Sequence, residues 1–599
     1  MEIASKTKTI QSCFSDCLYE VPNFQRPYSW VDDQLEDYWN DVVLANGDFF
    51  FGTTVTWISE KRPLFHYTYS LIDGQQRLTT SAVALSVIRD LFQVVHDSLS
   101  DDSEDLKVIL LEQKAATQKY LITKDDDFKE YAVIKRPEPQ FWEDIQKPGS
   151  IPSGAAWSTS ARLVGQARTY FERKITAEIS QLTDPQSKLE RLKTLRNNML
   201  QARVIQVELS SEEDAFLIFE TLNTRGADLK LADLVKNMLV RGLSEDPADR
   251  DAVATRWQSV VDDITSNGDN PDSMDRFIWQ SWNSRRDAVK EPELYKKLKA
   301  LVSTDGLTYK QYLDEIETDS RIFRHLEGVE RNFPKRASGS RQALAIPEVQ
   351  DSIRALEVFN VSVANSAVIA LVRKYNETQL ITEKQLKRAM AAIENFHFQF
   401  TAMANSGSTG GTRGRYNRFS VTLADAGTKQ GVSLAIDDFV ARLRSSLPPR
   451  VRVEGAFQKV GYAPQLTLTA AQWSRGAASL IRYILITMAK RLGNLPPAQD
   501  GSAWTIEHIV PQNTATKMFD DPVYSIGNLA LLSAKTNSSS GDADFATKKA
   551  GLVSSGFPKD PVLTDWLERD ATFTPSAGDL AKRSQELAKL ALDSIWTVA

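Results

Sequence analysis

A predicted strand, turn and helix follow one another in the stretch SLIDGQQRLTT, from Ser70 to Thr80. The residues His66–Asp73 have the aromatic and β-branched content of a strand. Beyond Asp73, apolar residues recur every three or four positions and predict an amphipathic helix: Leu78, Ala82, Leu85, Ile88 and Phe92. In an α/β domain such a corner commonly binds a ligand, because the first N–H groups of the helix have no partners within it. The corner therefore either holds a ligand or only turns the chain.

The remaining pattern predicts strands and helices in separate regions. Two further strands are predicted at Asp48–Ile58 and Ala202–Leu209, and a helix from about Leu229. The stretch Pro247–Asn395 has the apolar period of helices, and another helical segment is predicted near Gln472–Leu492. The expected fold class is multidomain α+β with a largely helical middle.

Length and composition indicate a soluble globular protein. A chain of 599 residues exceeds one ordinary core, so three or more domains are expected. The most apolar stretch, from Ser479, is interrupted by Arg482 and is too short to span a bilayer, so no membrane partner is expected. The net charge of −6 neither indicates nor excludes nucleic-acid binding, because a local basic surface decides phosphate binding.

Cysteine and histidine usage bears on location and metals. Cys13 and Cys17 are the two cysteines, too few for a disulfide framework or a structural zinc site. A cytoplasmic location is therefore expected, and the first residues, MEIASKTKTIQSCF, lack the long apolar stretch of a secretory signal. The five histidines are scattered, which argues against a poly-histidine metal site: His66, His96, His325, His397 and His508.

The turn after Asp73 carries groups suited to phosphate. Gly74 lets a ligand approach the backbone closely, and Arg77 can give phosphate a two-pronged contact. The amides of Gln75 and Gln76 can donate to phosphate or orient a water, while Asp73 could carry a metal or bind a ribose hydroxyl. A capped turn whose arginine pairs with a nearby acid explains the same residues equally well.

Upstream, a second polar pair lies in the stretch VPNFQRPYSW. Gln25 and Arg26 are held between Pro22 and Pro27, whose rings predict a rigid loop. Three aromatic residues around the pair either stack on a base or belong to the core: Phe24, Tyr28 and Trp30.

The segment Asn405–Phe419, NSGSTGGTRGRYNRF, combines glycines and arginines without an acid. Its composition predicts a flexible basic loop. Arg413, Arg415 and Arg418 are candidate contacts to DNA phosphates, each of which would add roughly one unit to the salt slope of binding. A solvated loop without a ligand is the alternative.

A second constellation follows in WTIEHIVPQN and SIGNLALLSAKTNSSSGDADFATKK. Glu507 and His508 end a predicted short strand, Asn528 starts another, and Asn537 and Lys548 come later. A carboxylate and an amide oxygen suit Mg²⁺ or Mn²⁺. A histidine beside such a site can deprotonate water while the metal stabilises charge on a phosphodiester. An ordinary histidine at a strand end is the alternative.

Three motifs, FQRPYSW, IDGQQRLTT and IFETLNTRGADLKLADLVKN, together resemble the N-terminal module of the GmrSD-type, modification-dependent (type IV) restriction enzymes. The resemblance implies a ParB- and sulfiredoxin-like fold. It also implies that Gln25, Arg26 and Asp73 to Arg77 line a site that binds and hydrolyses a nucleoside triphosphate (GTP, UTP, CTP or ATP). For Asn223 and Arg225, in the third motif, a helical hairpin turn and a contact with nucleotide or DNA both stay open.

The second constellation resembles the His-Asn-His (HNH) nucleases with a ββα-metal fold, fused to the same module. The resemblance implies that His508 is the general base and that Glu507 and Asn537 bind Mg²⁺ or Mn²⁺. It further implies that Asn528 fixes the loop that orients His508, and that Lys548 contacts the DNA backbone. Many relatives carry asparagine where this chain has Asp542, which bears on the metal geometry.

These resemblances imply an anti-phage defence endonuclease that hydrolyses a nucleoside triphosphate and cuts DNA according to its modification. Candidate marks are glucosylated hydroxymethylcytosine and, as in Ssp-type relatives, phosphorothioate. The expected domains are a sensor over residues 1–240, a helical linker over 241–430 and a nuclease domain over 431–599. The nucleotide preference, the mark, nicking against double-strand cleavage and a homodimeric state are left open.

Two other functions fit part of the sequence. The first is a ParB-like, nucleotide-switched DNA clamp with a weak or regulatory nuclease domain, which would contain both groups of residues. A nicking assay with Mg²⁺ distinguishes this clamp from an active nuclease. A sulfiredoxin-like redox enzyme needs a reactive cysteine near the phosphate corner. Cys13 and Cys17 lie outside that motif, which disfavours the redox function.

Overall fold

The computed structural model describes residues 3–599 with gaps. The segments outside the description are 1–2, 23–27, 46–48, 62–65, 101–102, 137–144, 148–158, 210–230, 244–246, 266–271, 305–306, 407–409, 470–471, 473–475, 494–503, 517, 534–542 and 571. The chain forms two compact units, Met1–Trp257 and Gln258–Ala599. The finer division into three domains stays a prediction.

A six-stranded mixed sheet forms the centre of the first unit, with strand order β1-β8-β3-β4-β2-β7. A separate two-stranded pair joins β5 and β6. The strands of this unit are β1 Ile3–Thr9, β2 Cys17–Glu20, β3 Phe50–Glu60, β4 Tyr67–Asp73, β5 Ile122–Lys124, β6 Glu130–Ala132, β7 Ile134–Lys135 and β8 Arg203–Leu209. The predicted strands at 48–58, 66–73 and 202–209 are thus confirmed as β3, β4 and β8.

The directions of the strands place the ends of β2, β3, β4 and β7 at one edge of this sheet. Strand β2 pairs in parallel with both β4 and β7, so the carboxyl ends of these three strands meet there. Strand β3 is antiparallel to β4, so its amino end lies at the same edge. The loop after β2 and the turn after β4 are therefore neighbours.

The described part of this unit also contains helices, of which α3 contributes many residues to the core. They are α1 Ile10–Asp16, α2 Asp32–Tyr38, α3 Gln75–Asp97, α4 Glu104–Gln118, α5 Thr159–Ser180, α6 Pro185–Gln201, α7 Leu231–Leu243 and, crossing into the second unit, α8 Pro247–Ile264. Helix α3 packs against α4, α5 and α6. It is apolar and long enough to cross a membrane, unlike the stretch from Ser479 that the sequence singled out, but 83% of its apolar window is buried inside the protein. That burial is the property of a core helix.

The second unit is mostly helical. Its helices are α9 Ser273–Asn283, α10 Glu291–Thr304, α11 Tyr309–Leu326, α12 Pro347–Val358, α13 Asn365–Glu377, α14 Glu383–His397, α15 Gly410–Asp425, α16 Lys429–Arg444, α17 Arg450–Gln458, α18 Ala478–Arg491, α19 Phe545–Ser555, α20 Pro561–Glu568 and α21 Ala577–Leu590. Threonine caps such as Thr308 and Thr382 accept a hydrogen bond from the first turn of α11 and α14. The antiparallel strands β9 Trp504–His508 and β10 Leu529–Ser533 pair near the C-terminal helices.

The predicted basic loop at 405–419 is wrong, because most of it forms helix α15. Glycine disfavours helix, but the aromatic residues of this segment recur at helical spacing and are buried. Tyr416 is fully buried, and the Phe419 ring stacks on Phe439 with centroids 3.9 Å apart. Packing of one helix face thus outweighs the low propensity of the glycines.

Helix α15 also binds the buried His397. The imidazole Nε2 lies 2.7 Å from the Tyr416 hydroxyl, and Nδ1 lies 2.8 Å from Thr401 Oγ1. Burial lowers the pKa of His397 to about 3. The folded protein therefore keeps this imidazole neutral at pH values where an unfolded chain protonates it.

We expect His397 to make the second unit acid-sensitive. Between about pH 6.5 and about pH 3 the unfolded chain binds a proton that the folded chain does not, so the free energy of unfolding falls as the pH falls. The slope is about 1.4 kcal/mol per pH unit inside that window. Urea unfolding from pH 7 to pH 5 should show a shallower pH dependence in His397→Gln than in the wild type. Equal slopes would contradict the assignment.

Candidate functional site

The backbone at the predicted phosphate corner turns through two glycines. Gly74 caps helix α3 with φ +93°, and Gly52 has φ +100°. A Cβ on Gly74 would lie 2.7 Å from Thr54 Cγ2, and one on Gly52 would lie 2.5 Å from Arg77 Nη1. Both positions therefore need glycine for conformation and for space. The tight turn brings the start of helix α3 against strand β3.

The structure brings the first two sequence motifs together. The backbone N–H of Ser29 donates to Gln76 Oε1 at 3.1 Å, and the Tyr28 hydroxyl lies 2.8 Å from Thr80 Oγ1. Tyr28 is buried in the core, and Trp30 packs against that core while partly buried. Phe24 lies outside the described residues. Gln25 and Arg26 lie outside the described residues. Tyr28 and Ser29, which follow them in the chain, both contact the first turns of α3.

Arg136 is a residue that sequence reasoning missed. It directly follows β7, is 5% exposed, and donates from Nη1 to Gln75 Oε1 at 3.4 Å and to Thr79 Oγ1 at 3.1 Å. A buried guanidinium at the carboxyl edge of the sheet adds a positive charge to the corner. The available signal was an arginine directly after a short strand, in IKRP, but no motif marks it.

Arg77 is not unpartnered, and its role differs from the sequence expectation. Its Nη1 donates to the carbonyl oxygens of Thr53 at 2.6 Å and Phe51 at 3.4 Å. Its Nη2 lies 3.5 Å from Asp73 Oδ2, and its side chain is 26% exposed. The guanidinium thus pairs with an acid, as the capped-turn alternative stated, and it also holds the start of β3. Its remaining exposure leaves one side of the group open to a ligand.

The cysteines do not suit a redox centre. Cys13 and Cys17 are both free and buried. Burial raises the pKa of Cys13 to about 11 and also raises the pKa of Cys17. Both thiols are therefore protonated at neutral pH, whereas a redox-active cysteine needs a thiolate. This chemistry disfavours the sulfiredoxin-like alternative.

The C-terminal constellation is built on two paired strands. In the register of β9 and β10, His508 is opposite Leu529 and Glu507 is opposite Ala530. Glu507 is 7% exposed and His508 is 4% exposed. The strand end thus carries a buried carboxylate beside a buried imidazole.

The tautomer of His508 is fixed by a backbone carbonyl. Nε2 lies 2.8 Å from the Tyr462 oxygen, which can only accept, so Nε2 carries the hydrogen and Nδ1 keeps its lone pair. The Tyr462 ring stacks on the imidazole with centroids 5.8 Å apart. Burial, assisted by the Lys548 charge, lowers the pKa of His508 to about 4, against the opposing effect of the Tyr462 bond. The imidazole is therefore a neutral, oriented base.

Asn528 fastens the loop that follows His508. Its Oδ1 accepts from the Val510 N–H at 2.7 Å, and its Nδ2 donates to the carbonyls of Val510 at 2.9 Å and Val523 at 2.6 Å. The Ile509 N–H donates to the Asn528 carbonyl at 2.8 Å. Asn528 is fully buried, and its two bonds with Val510 are shielded from water.

The expected contact of Lys548 with the DNA backbone does not fit its position. Lys548 is 2% exposed, and its Nζ lies 2.5 Å from Glu507 Oε1 and donates to the His508 carbonyl at 2.9 Å. A buried ammonium held by two neighbours cannot reach a phosphate outside. Lys548 is instead the internal partner that neutralises Glu507 and fixes the end of β9.

The donor set at this site fits a hard divalent cation in part. Among the described residues, no group of three His, Cys, Asp or Glu side chains could hold a metal ion. Asn537 lies outside the described residues, as does Asp542. Glu507 supplies a hard carboxylate ligand, although its Oε1 is paired with the Lys548 ammonium in this structure. Asn223 and Arg225 also fall outside the described residues.

The predicted DNA contacts on the former loop have separate places on helix α15. Arg413 is exposed and lies over the Trp279 ring, with the guanidinium carbon 4.9 Å from the ring centroid. Arg415 is half-buried, and Arg418 is exposed. The three arginines thus do not form one mobile basic patch.

Comparison with known proteins places both constellations in one family. A family model described as the N-terminal domain of the GmrSD restriction endonuclease matches residues 6–240. A second, described as the C-terminal domain of GmrSD restriction endonucleases, matches residues 464–590. No curated protein matches the chain. Both matches lie on one chain in this order, and together they cover more than half of it. The chain therefore belongs to the GmrSD family of type IV, anti-phage restriction endonucleases, whose macromolecular partner is DNA.

Proposed function

We propose that the C-terminal site is a metal-dependent HNH nuclease centre with His508 as its general base. The observation that carries this proposal is the bond from His508 Nε2 to the Tyr462 carbonyl, which leaves Nδ1 as the basic atom. The lowered pKa keeps that atom unprotonated at neutral pH. Nδ1 accepts the proton of the water that attacks the phosphodiester.

The other residues of the site support this proton transfer. Asn528 holds the loop after His508, and Lys548 holds its carbonyl, so the imidazole keeps one orientation. Glu507 and Asn537 are the residues that would bind Mg²⁺ or Mn²⁺. The metal, when bound, supplies positive charge that stabilises the phosphodiester oxygens during cleavage.

In the N-terminal unit we propose a ParB-like site that binds and hydrolyses a nucleoside triphosphate, with GTP, UTP, CTP and ATP as candidates. Support comes from the contacts of Tyr28 and Ser29 with the first turns of α3, and from two arginines at one sheet edge. The first N–H groups of α3 and the half-buried Arg77 guanidinium suit a polyphosphate, and the buried Arg136 adds positive charge behind them. Asp73, Gly74, Gln75 and Gln76 complete the corner.

Cleavage is proposed to depend on DNA modification, with glucosylated hydroxymethylcytosine and phosphorothioate as the candidate marks. The enzyme is proposed to act in the cytoplasm, where phage DNA is exposed after infection, and a homodimer is one assembly compatible with it.

Plasmid cleavage by the full chain tests the proposal directly. Substrates of each modification state are incubated with Mg²⁺ or Mn²⁺, with and without each nucleotide. Absence of nicking on every substrate would contradict the nuclease proposal and favour a nucleotide-switched DNA clamp.

Arg77→Ala should reduce nucleoside-triphosphate hydrolysis at least about a hundredfold, the usual effect of removing one donor to a developing charge. Arg77→Lys should not restore it, because an ammonium lacks the two-pronged geometry of the guanidinium. Phosphate release under saturating nucleotide measures both variants.

Arg191→Ala is the matched control, because it removes an ion pair of similar exposure, Arg191–Glu178, from helices of the same unit. It should leave hydrolysis unchanged. Hydrolysis within a few-fold of wild type in Arg77→Ala would remove Arg77 from the nucleotide site.

A further inference from the structure

A cavity of about 930 Å³ lies among the helices of the second unit. It is lined by residues of α9, the end of α14 and the start of α15, and by the segment around Ser362. All of these lie between residues 240 and 464, outside both matched family domains. The volume is near the upper end of the range of about 300–1,000 Å³ that small-molecule sites occupy.

One wall of the cavity is an aromatic ring covered by a guanidinium. Trp279 is fixed in orientation because its Nε1 donates to the Val289 carbonyl at 2.7 Å. The Arg413 guanidinium carbon lies 4.9 Å from the centroid of that ring. Phe400 adds a second aromatic side chain to the lining. Nucleobases stack on aromatic rings and on guanidinium planes, so this wall suits a planar heterocycle.

Positive charge is also present on this lining. Lys290 and Arg413 line the cavity together with Arg276, which pairs with Glu327 at 2.7 Å. Cationic groups beside an aromatic wall match two parts of a nucleotide, the phosphate and the face of the base.

We propose that this cavity takes one unstacked base of the DNA substrate, together with any substituent that the base carries. The proposal rests on the function proposed above, since it names where the DNA is read. The base stacks on the Arg413 guanidinium, which lies over the Trp279 ring, and the cationic side chains of Lys290 and Arg276 are placed to meet its phosphate. The large volume leaves room for a sugar attached to the base. Sensing and cleavage then use separate sites of the same chain.

The test uses the full chain and fluorescent DNA duplexes. Each duplex carries 2-aminopurine directly 3′ to one cytosine, which is plain, 5-hydroxymethylated or glucosylated. Removing that cytosine from the stack raises the 2-aminopurine fluorescence. Binding is followed by anisotropy on the same duplexes with an end label. The variants are Arg413→Ala and Trp279→Leu, with Arg442→Ala as the matched control, because Arg442 is an exposed arginine of α16 that does not line the cavity.

Wild-type protein and Arg442→Ala should raise the fluorescence on at least one duplex. Arg413→Ala and Trp279→Leu, checked for wild-type thermal midpoints, should lose most of that rise and weaken binding of that duplex about tenfold, as loss of a base stack does. An equal rise in Arg413→Ala, or a flat wild-type signal on all three duplexes, overturns the proposal. Nicking by the His508→Ala variant is measured separately, so failure of the nuclease proposal does not alter the fluorescence result.

Discussion

Replacing His508 by alanine should abolish DNA cleavage, with a loss of at least about a hundredfold, the lower end of what a general base contributes. Water is too weakly acidic to attack a phosphodiester at neutral pH without a proton acceptor. In this structure the acceptor is His508 Nδ1, which the bond between Nε2 and the Tyr462 carbonyl leaves available. Plasmid nicking under saturating Mg²⁺ measures the effect.

The same variant should hydrolyse nucleoside triphosphate at the wild-type rate, because the candidate nucleotide corner lies in the other compact unit. His325→Ala is the matched control: it removes another partly buried histidine of the second unit, whose Nδ1 is bonded to the Glu330 carbonyl. That variant should nick normally.

High Mn²⁺ should rescue part of the nicking activity of Asn537→Ala, because Asn537 is an expected metal ligand, but none of the activity of His508→Ala. Wild-type nicking by His508→Ala would place the chemistry elsewhere.

The elements around the first corner could be predicted from the sequence because their signals are local. Alternating and β-branched residues marked β3, β4 and β8, and the apolar period after Asp73 marked α3. Local signals could not predict that the loop after β2 lies next to the turn after β4. This proximity depends on the parallel pairing of β2 and β4, which joins residues far apart in the chain.

The contacts that the sequence did not reveal are made by distant partners. Arg136 reaches Gln75 from a separate strand, and the oxygen that orients His508 belongs to the backbone of Tyr462, which has no side-chain signature. Lys548 looked like a surface cation, yet the fold buries it against Glu507. Charge type was visible in the sequence, whereas burial and pairing were decided by tertiary packing.

In the segment around Arg413 the local signal was misleading, because its glycine content predicted a loop where the structure has a helix. Its glycines and lack of acids predicted a loop, but the buried faces of Tyr416 and Phe419 make it a helix. The period of the aromatic residues was the better signal, because burial of large rings outweighs the helix cost of about 1 kcal/mol per glycine.

Arg583→Met should be the most destabilising single change in the nuclease region. Arg583 is fully buried; its Nε and Nη2 donate to Asp560 Oδ2 at 3.1 and 2.8 Å, and its Nη1 donates to the carbonyls of Gly527 and Leu529. Methionine would leave the buried Asp560 carboxylate without its cation, with only the Val562 and Leu563 N–H donors on Oδ1, and would remove a donor from two carbonyls. Removing one partner of a buried ion pair costs about 3–5 kcal/mol, so the urea midpoint of the second unit should fall markedly.

Two comparisons isolate the cause of this loss. Arg450→Met removes an exposed arginine that pairs with Glu454 and Asp593, and it should change the midpoint little. Adding Asp560→Asn to Arg583→Met should recover part of the lost stability, because the carboxylate is then no longer buried unpaired. No recovery in the double variant would mean that lost packing, and not the stranded charge, sets the cost.

The Arg583→Met substitution should also affect catalysis, because Arg583 donates hydrogen bonds to the two carbonyls that flank Asn528. Asn528 in turn fixes the loop after His508, so loosening its neighbours should disorder the general base before the whole unit unfolds. At a urea concentration below the unfolding transition, Arg583→Met should therefore nick DNA more slowly than Arg450→Met. Equal nicking by the two folded variants would show that the position of Asn528 does not depend on the buried ion pair.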